Sequence, residues 1–275
     1  MPPEEEKRQE KLLLLLLALA TETERLTNEP VRKRLVDVMR RLRRLVQRMS
    51  PTGQFRIFEW SQLSPQALPL LEEITRTLRA SLLPQVQTLG PEVQDAAYDF
   101  SRPSETELQE IRPQTQEQLL RSLQIAGAGS LYSLMGSRQG LNRYTLQMAS
   151  DLDKMIKTMI ISEATTQEIS DKVLKVMTDK GRVVGKVTTG SYANRMWNRV
   201  RNTTSAAVWD QVTATLAESW RDVPTDRWVW NAILDPETCP VCRPLNGMVR
   251  DNPAKFPRRP PVHPNCRCAV LPVLG

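Results

Sequence analysis

All four cysteines of this 275-residue chain and its only histidine fall within thirty residues, from Cys239 to Cys268. No other feature limits the possible folds as strongly. Cys239-x-x-Cys242 places two thiols on one tight turn, and after a loop His263-x-x-Cys266-x-Cys268 supplies three more soft donors. Two short clips joined by a loop are the usual way to surround tetrahedral Zn²⁺, which takes four ligands from N and S donors. The ligands are therefore expected to be four of Cys239, Cys242, His263, Cys266 and Cys268. Cys239 and Cys242 come first among them, and the sequence does not choose between the other three. Cys266 and Cys268 would point the same way on a strand, while His263 either ligates or hydrogen-bonds to a thiolate from behind. A disulfide stapling the same loop, or a set of reduced, partly buried thiols, would also account for these residues. In every version the cluster is structural: it closes a small domain that has too little core to hold itself.

Catalytic readings find little support. Zinc deaminases pair Cys-x-x-Cys with an upstream His-x-Glu, but here the histidine lies downstream and is followed by Pro264-Asn265. The chain has no His-Glu-x-x-His, no phosphate-binding glycine loop ending in Lys-Ser/Thr, no nucleophile elbow and no βαβ pattern around Cys-x-x-Cys. The expectation is a protein that is not an enzyme, with no catalytic residues to name.

With 11 glycines, 20 prolines and 5% aromatics against many Leu, Arg, Gln and Glu, the rest of the chain favours helices over a large sheet. The expected fold class is mainly α: extended helical N-terminal and middle regions, with a small α+β C-terminal domain closed by the Cys/His cluster. The boundaries read as a basic and leucine-rich helical arm over 1–50, a helical middle region over 51–190, and a C-terminal domain over 191–275. The run "KLLLLLLALATE" resembles a signal sequence, but the acidic "MPPEEEKRQEK" before it is the wrong start, and the run is too short to span a bilayer. It reads as a leucine-rich helix seeking partner helices in a protein made in a reducing cytoplasm and kept out of membranes.

Leu35, Val38, Met39, Leu42, Leu45, Val46 and Met49 recur at spacings of three and four, which marks one apolar stripe. The other face carries Arg32, Lys33, Arg34, Arg40, Arg41, Arg43, Arg44 and Arg48 against a single Asp37. With a net charge of +7, that face suits nucleic acid or an acidic protein; a solvated face on a core helix is the plainer alternative. The middle region reads as short helices started at Ser64–Pro65, Gly90–Pro91 and Arg112–Pro113. A stripe from Leu141 to Ile160 predicts a longer helix, Thr165-x-x-Glu168 a capping box opening a helix through Met177 to Gly181, and 182–191 a turn or ribbon. A further helix is expected from Tyr192 to Trp220, with Met196, Val200, Val208, Val212 and Leu216 inward. Five of the six tryptophans lie between Trp197 and Trp230, as core or as a base-stacking surface. "RWVWNAIL" and "CRCAVLPV" read as strands, and Asn246-Gly247 as a hairpin turn.

The stretches "RWVWNAILDPETCPVCRPLNGMV" and "PPVHPNCRCAVLPV" resemble the C-terminal signature of the Mu F-like head morphogenesis, or minor head protein, family of tailed bacteriophages. The matching residues are Trp230, Asp235, Thr238, Cys239, Cys242, Leu245, Gly247, Pro260, Pro261, His263, Pro264, Cys266, Arg267 and Cys268. Where the family has an Arg-Thr-Glu helix, this chain has Asn202-Thr203-Thr204. The resemblance covers roughly residues 190–275. It implies a virion protein in the capsid interior at the portal vertex, with the phage portal protein as partner. Packaged DNA and the major capsid or scaffold proteins are further expected partners, and several copies per virion are expected. A stand-alone zinc-containing nucleic-acid-binding protein is the alternative reading, and a metal-dependent enzyme a weaker one.

Overall fold

A computed structural model describes residues 3–51, 56–101, 141–178, 182–184, 187–189, 192–220, 223, 225–234, 238–263 and 266–274. Helices dominate. They are α1 (Pro3–Gln47), α2 (Arg56–Leu63), α3 (Ala67–Ser101), α4 (Leu141–Ile161), α5 (Thr166–Thr178) and α6 (Tyr192–Ser219). The strands are short: β1 (Arg182–Val184) and β2 (Val187–Thr189) form an antiparallel ribbon, while β3 (Trp228–Ala232), β4 (Val249–Arg250) and β5 (Cys268–Pro272) form a second sheet in the order β4-β3-β5. The mainly α class with a small C-terminal sheet therefore stands.

The chain divides into two compact units, and α1, α3 and α6 each contribute residues to both. One unit comprises Met1–Leu26, Leu82–Tyr132 and Asn202–Gly275. Its helical core draws on Leu16 and Ala20 of the leucine run, on Leu82, Leu89, Val93 and Ala97 of α3, and on Val208, Trp209, Val212 and Leu216 of α6. Trp220, just past α6, is buried with its ring centroid 6.0 Å from that of Phe100. The leucine run thus supplies core, although Leu14 and Leu15 stay exposed. Among the described residues, no helix is long and apolar enough to cross a membrane.

The other unit comprises Thr27–Ser81 and Ser133–Arg201. The whole apolar stripe from Leu35 to Met49 is buried here, together with Leu71, Ile74 and Leu78 of α3 and Met148, Leu152, Ile156 and Ile160 of α4. Trp60 of α2 is buried and donates its indole N–H to Asp153 of α4 at 3.0 Å. Thr165 and Glu168 make the expected capping box: Glu168 Oε2 accepts from the Thr165 backbone N–H at 2.6 Å, and Thr165 Oγ1 accepts from the Glu168 N–H at 3.2 Å. Thr165→Ala should lower stability by about 1 kcal/mol, read as a shifted denaturant midpoint. The backbone bond from Thr165, and then its hydroxyl, hold the Glu168 carboxyl below the ordinary carboxylate range. A lowered folded value means that this contribution is present above the unfolded pKa and is lost as pH falls through the folded one. The midpoint difference between wild type and Thr165→Ala should therefore shrink in acid.

Of the expected proline starts in the middle region, one is met and one is not. Ser64–Pro65 does open a 3₁₀ turn (Ser64–Gln66) that leads into α3. Gly90–Pro91 does not start a helix: Pro84 and Pro91 both lie inside the 35-residue α3, as Pro30 lies inside α1. An interior proline costs about 3 kcal/mol in a helix. Burial of Leu82, Val86, Leu89, Val93 and Ala97 around the two prolines of α3 offsets that cost. The Arg112–Pro113 start and the Gly181 stop lie outside the described residues.

Candidate metal centre

The Cys/His region is built on β3. Trp228 to Ala232 pair with Pro272 to Cys268 of β5, and Trp228 and Val229 pair with Arg250 and Val249 of β4. The Gly247 N–H donates to the Trp230 carbonyl at 2.8 Å, and the Trp230 N–H donates to the Met248 carbonyl at 2.9 Å. Asn246 turns its side-chain oxygen onto the Ala232 N–H at 2.8 Å, which holds the segment carrying Cys-x-x-Cys against the end of β3. Asn246-Gly247 is a turn, as expected, but not a two-residue hairpin joining two strands. Asn246 has φ −57° and ψ 130°, Gly247 has φ 77°, and the Met248 N–H reaches the Leu245 carbonyl at 3.0 Å. This is a type II turn, whose third position needs positive φ and so suits glycine. It follows the 3₁₀ turn Arg243–Leu245.

Between β3 and that turn, the backbone wraps Cys239. The N–H groups of Cys242 and Arg243 donate to the Cys239 carbonyl at 3.2 and 3.1 Å, and the Cys242 N–H also lies 3.2 Å from Cys239 Sγ. His263 and Cys266 form the second clip, with the Cys266 N–H on the His263 carbonyl at 3.0 Å. The clips meet. Cys239 Sγ is 2.8 Å and Cys242 Sγ 3.2 Å from His263 Nε2, and Cys242 Sγ is 3.8 Å from Cys266 Sγ. Two overlapping triads result, Cys239–Cys242–His263 and Cys242–Cys266–Cys268, each able to hold a metal ion. Cys242 belongs to both. A cavity of about 10 Å³, the room of one small sphere, is lined by Cys239, Cys242, His263 and Cys268 together with Ile233, Thr238 and Arg267.

The four thiols are free. The 3.8 Å between Cys242 and Cys266 is far from a disulfide bond of about 2.05 Å, and it matches the ~3.8 Å edge between two thiolates bound tetrahedrally at ~2.3 Å. Their acidities differ by environment. Burial raises the Cys239 thiol, but N–H donors from Cys242 and Val241 and the charge of His263 bring it below the ordinary value. Burial, and then the hydrogen bond with Cys239, push Cys242 up to about 12. The hydrogen bond from Cys268 brings Cys266 down to about 5 despite burial, and the same bond raises Cys268. One thiol lowered to about 5, Cys266, thus sits with the lowered Cys239 beside two raised thiols, whose protons a cation would displace.

Around the donors lies a compact apolar cluster of Trp230, Ala232, Cys242, Leu245, Phe256, Cys266 and Cys268. The Trp230 and Phe256 ring centroids are 5.9 Å apart at 55°. Trp209, Trp220 and Trp230 are all buried, so these indoles are core and not an exposed stacking surface. Phe256 completes the site without having been singled out by sequence, and Asn246 was singled out only for a turn. The Asn-Gly pair was a signal for a turn, but not for a side chain gripping β3.

The basic face of α1 lies in the other unit and is partly neutralised there. Arg41 pairs with Glu73 of α3 at 2.7 Å and with Asp37 at 3.7 Å, and Arg34 reaches Glu73 at 3.6 Å and Asp37 at 3.5 Å. Arg43 is 3.9 Å from Asp171 and 3.4 Å from Ser170 Oγ, both on α5, while Lys33 pairs with Glu29 at 3.0 Å. Arg32, Arg40, Arg44 and Arg48 are exposed and form no ion pair among the described residues.

Fold and site together define a helical protein that ends in a small sheet closed by two soft-ligand clips. Residues 147–271, from within α4 to the penultimate position of β5, match the family model described as Phage Mu protein F like protein. The match is to that region alone, and it extends well upstream of residue 190, where the sequence resemblance began. No curated protein and no solved structure matches the chain.

Proposed function

We propose that this chain is a structural minor head protein of a tailed bacteriophage. It docks at the portal vertex inside the capsid, acts in head morphogenesis, and contributes to DNA packaging or ejection without catalysing a reaction. The observation that carries this reading is the coincidence of the Mu F-like region with the Cys/His-closed sheet. A region whose soft side chains converge on one another across two clips is suited to presenting a rigid surface. In this reading the ion is Zn²⁺, held by Cys239, Cys242 and His263 with the fourth ligand from the Cys266/Cys268 pair. Nitrogen and sulfur donors and a tetrahedral thiolate edge favour it over hard cations that take oxygen. The exposed arginines of α1 meet an anionic partner in the assembled head, and copies of the protein gather around the portal.

The test is to purify virions and probe them for the chain, and to capture it on portal rings. Stoichiometric presence in the head, and portal binding that survives moderate salt, are expected. Absence from virions together with failure on the portal would reject the proposal. Arg32, Arg40 and Arg44 on α1 and Arg48 just past it, exposed and without an ion pair among the described residues, favour a second reading, a stand-alone zinc protein that binds nucleic acid. It would bind DNA tightly as an isolated chain, with affinity falling steeply as salt rises.

A further inference from the structure

Where the last turns of α1 face the start of α3 there is a groove of about 510 Å³, within the range that grips a few side chains of a ligand. One wall carries Arg44, in the last turn of α1, and Arg48, in the turn just past it, both exposed. The opposite wall carries Pro65 and Pro69, also exposed. Arg41 lies at one side, already tied to Glu73, which lines the same groove.

We infer that this groove takes an acidic segment of a protein partner, with carboxylates one helical turn apart and an apolar side chain between them. The inference rests on the reading that the basic face of α1 meets an anionic partner, and it names the partner's class. Three features select a protein segment over DNA. Arg44 and Arg48 are four positions apart at the end of α1 and line one groove, which suits Glu side chains at i and i+4 on a facing helix. The two prolines offer a rigid apolar wall, which fits an aliphatic side chain and has no use against a sugar-phosphate backbone. Glu73 places a carboxylate in the groove, which opposes a polyanion but leaves a short segment with two carboxylates free to use the two unpaired guanidiniums. Arginine forks also match carboxylates bidentately.

The experiment uses the full chain and a labelled helical peptide bearing Glu at i and i+4 with a Leu between them, followed by fluorescence anisotropy. Single-stranded and duplex DNA oligomers of matched charge are the competitors. The peptide should bind, R44E/R48E should weaken it by about tenfold or more, and R32E/K33E, on the same helix outside the groove, should leave it within about twofold. Because Arg44 sits in the last turn of α1, where a basic side chain also favours the helix, P69E is the second variant. It leaves both arginines in place, sets a negative charge on the apolar wall, and should weaken the peptide too. Displacement of the peptide by DNA in an Arg44- and Arg48-dependent way would overturn the choice of a protein partner and leave the anionic-partner reading standing. Binding of neither probe, or binding indifferent to both groove variants, would overturn the inference and that reading together.

Discussion

Cys242→Ser should strip the protein of metal and release the fold of the last fifty residues, while the helical signal of the chain changes little. Cys242 is the donor that the two triads share: 3.2 Å from His263 Nε2, 3.8 Å from Cys266 Sγ, and 2% exposed. A serine hydroxyl there offers a hard, neutral oxygen in place of a thiolate and breaks both triads at the donor that joins them. Structural zinc contributes folding energy outright, with apparent binding of about 10–16 kcal/mol in small zinc domains at neutral pH. No core as small as the Trp230–Phe256 cluster can replace that. Elemental analysis should find close to one zinc per chain in the wild type and essentially none in Cys242→Ser. Amide exchange over residues 228–274 should then accelerate. Of Cys266→Ser and Cys268→Ser, one should behave like Cys242→Ser and the other should keep its zinc, which identifies the fourth ligand. Loading should also depend on pH with a fixed sign. Cys242, held up at about 12, and Cys268, also raised, carry protons at neutral pH that the ion must displace. Affinity should therefore fall as pH falls, and binding should release protons. A Cys242→Ser protein that retains zinc and normal exchange would remove the metal centre as the reason this region folds.

Periodicity and capping chemistry were legible in the sequence wherever one segment settled its own structure. The stripe from Leu35 to Met49, the stripe ending at Ile160, the Thr165–Glu168 box and the inward residues of α6 all appear as read, because side chains three and four apart fix a helix face without outside help. Two features depended on partners remote in sequence and were not legible. Gly90–Pro91 looks like punctuation, yet α3 runs through it as it does through Pro84, because burial on both sides decides against a local preference worth a few kcal/mol. The basic face of α1 looks opposed by Asp37 alone, yet Glu73 and Asp171 come to it from other helices. At the Cys/His cluster, the residue types and their spacing announced a candidate soft-ligand site. They did not announce that Cys242 would sit in both triads, since that follows from where β5 places Cys268 against β3.

Trp230→Ala should cost about 3–5 kcal/mol and should also let zinc escape. Trp230 is fully buried in the middle of β3, stacked obliquely on Phe256, and clustered with Cys242, Cys266 and Cys268. Its backbone N–H and carbonyl hold Met248 and Gly247, and its side chain belongs to the same buried cluster as Cys242 and Leu245 of the clip and the turn after it. Removing it leaves a void where there are too few neighbouring side chains to collapse into it, and the thiols of that cluster lose the packing that keeps them converged. Trp230→Phe is the informative contrast. The indole N–H of Trp230 is buried with no hydrogen-bond partner among the described residues, and an unsatisfied donor costs about 1–3 kcal/mol. Phenylalanine removes that donor while keeping most of the ring, so relief of the polar penalty offsets the smaller volume and stability should stay within about 1 kcal/mol of wild type. The measurements are the denaturant midpoint of the zinc-loaded protein and the rate at which a chromogenic chelator extracts the ion. Extraction should be much faster from Trp230→Ala and nearly unchanged from Trp230→Phe. Equal extraction rates from wild type and Trp230→Ala would show that the clips hold the ion without the core beneath them. The metal would then organise the backbone by itself, and the tryptophan would only add to stability.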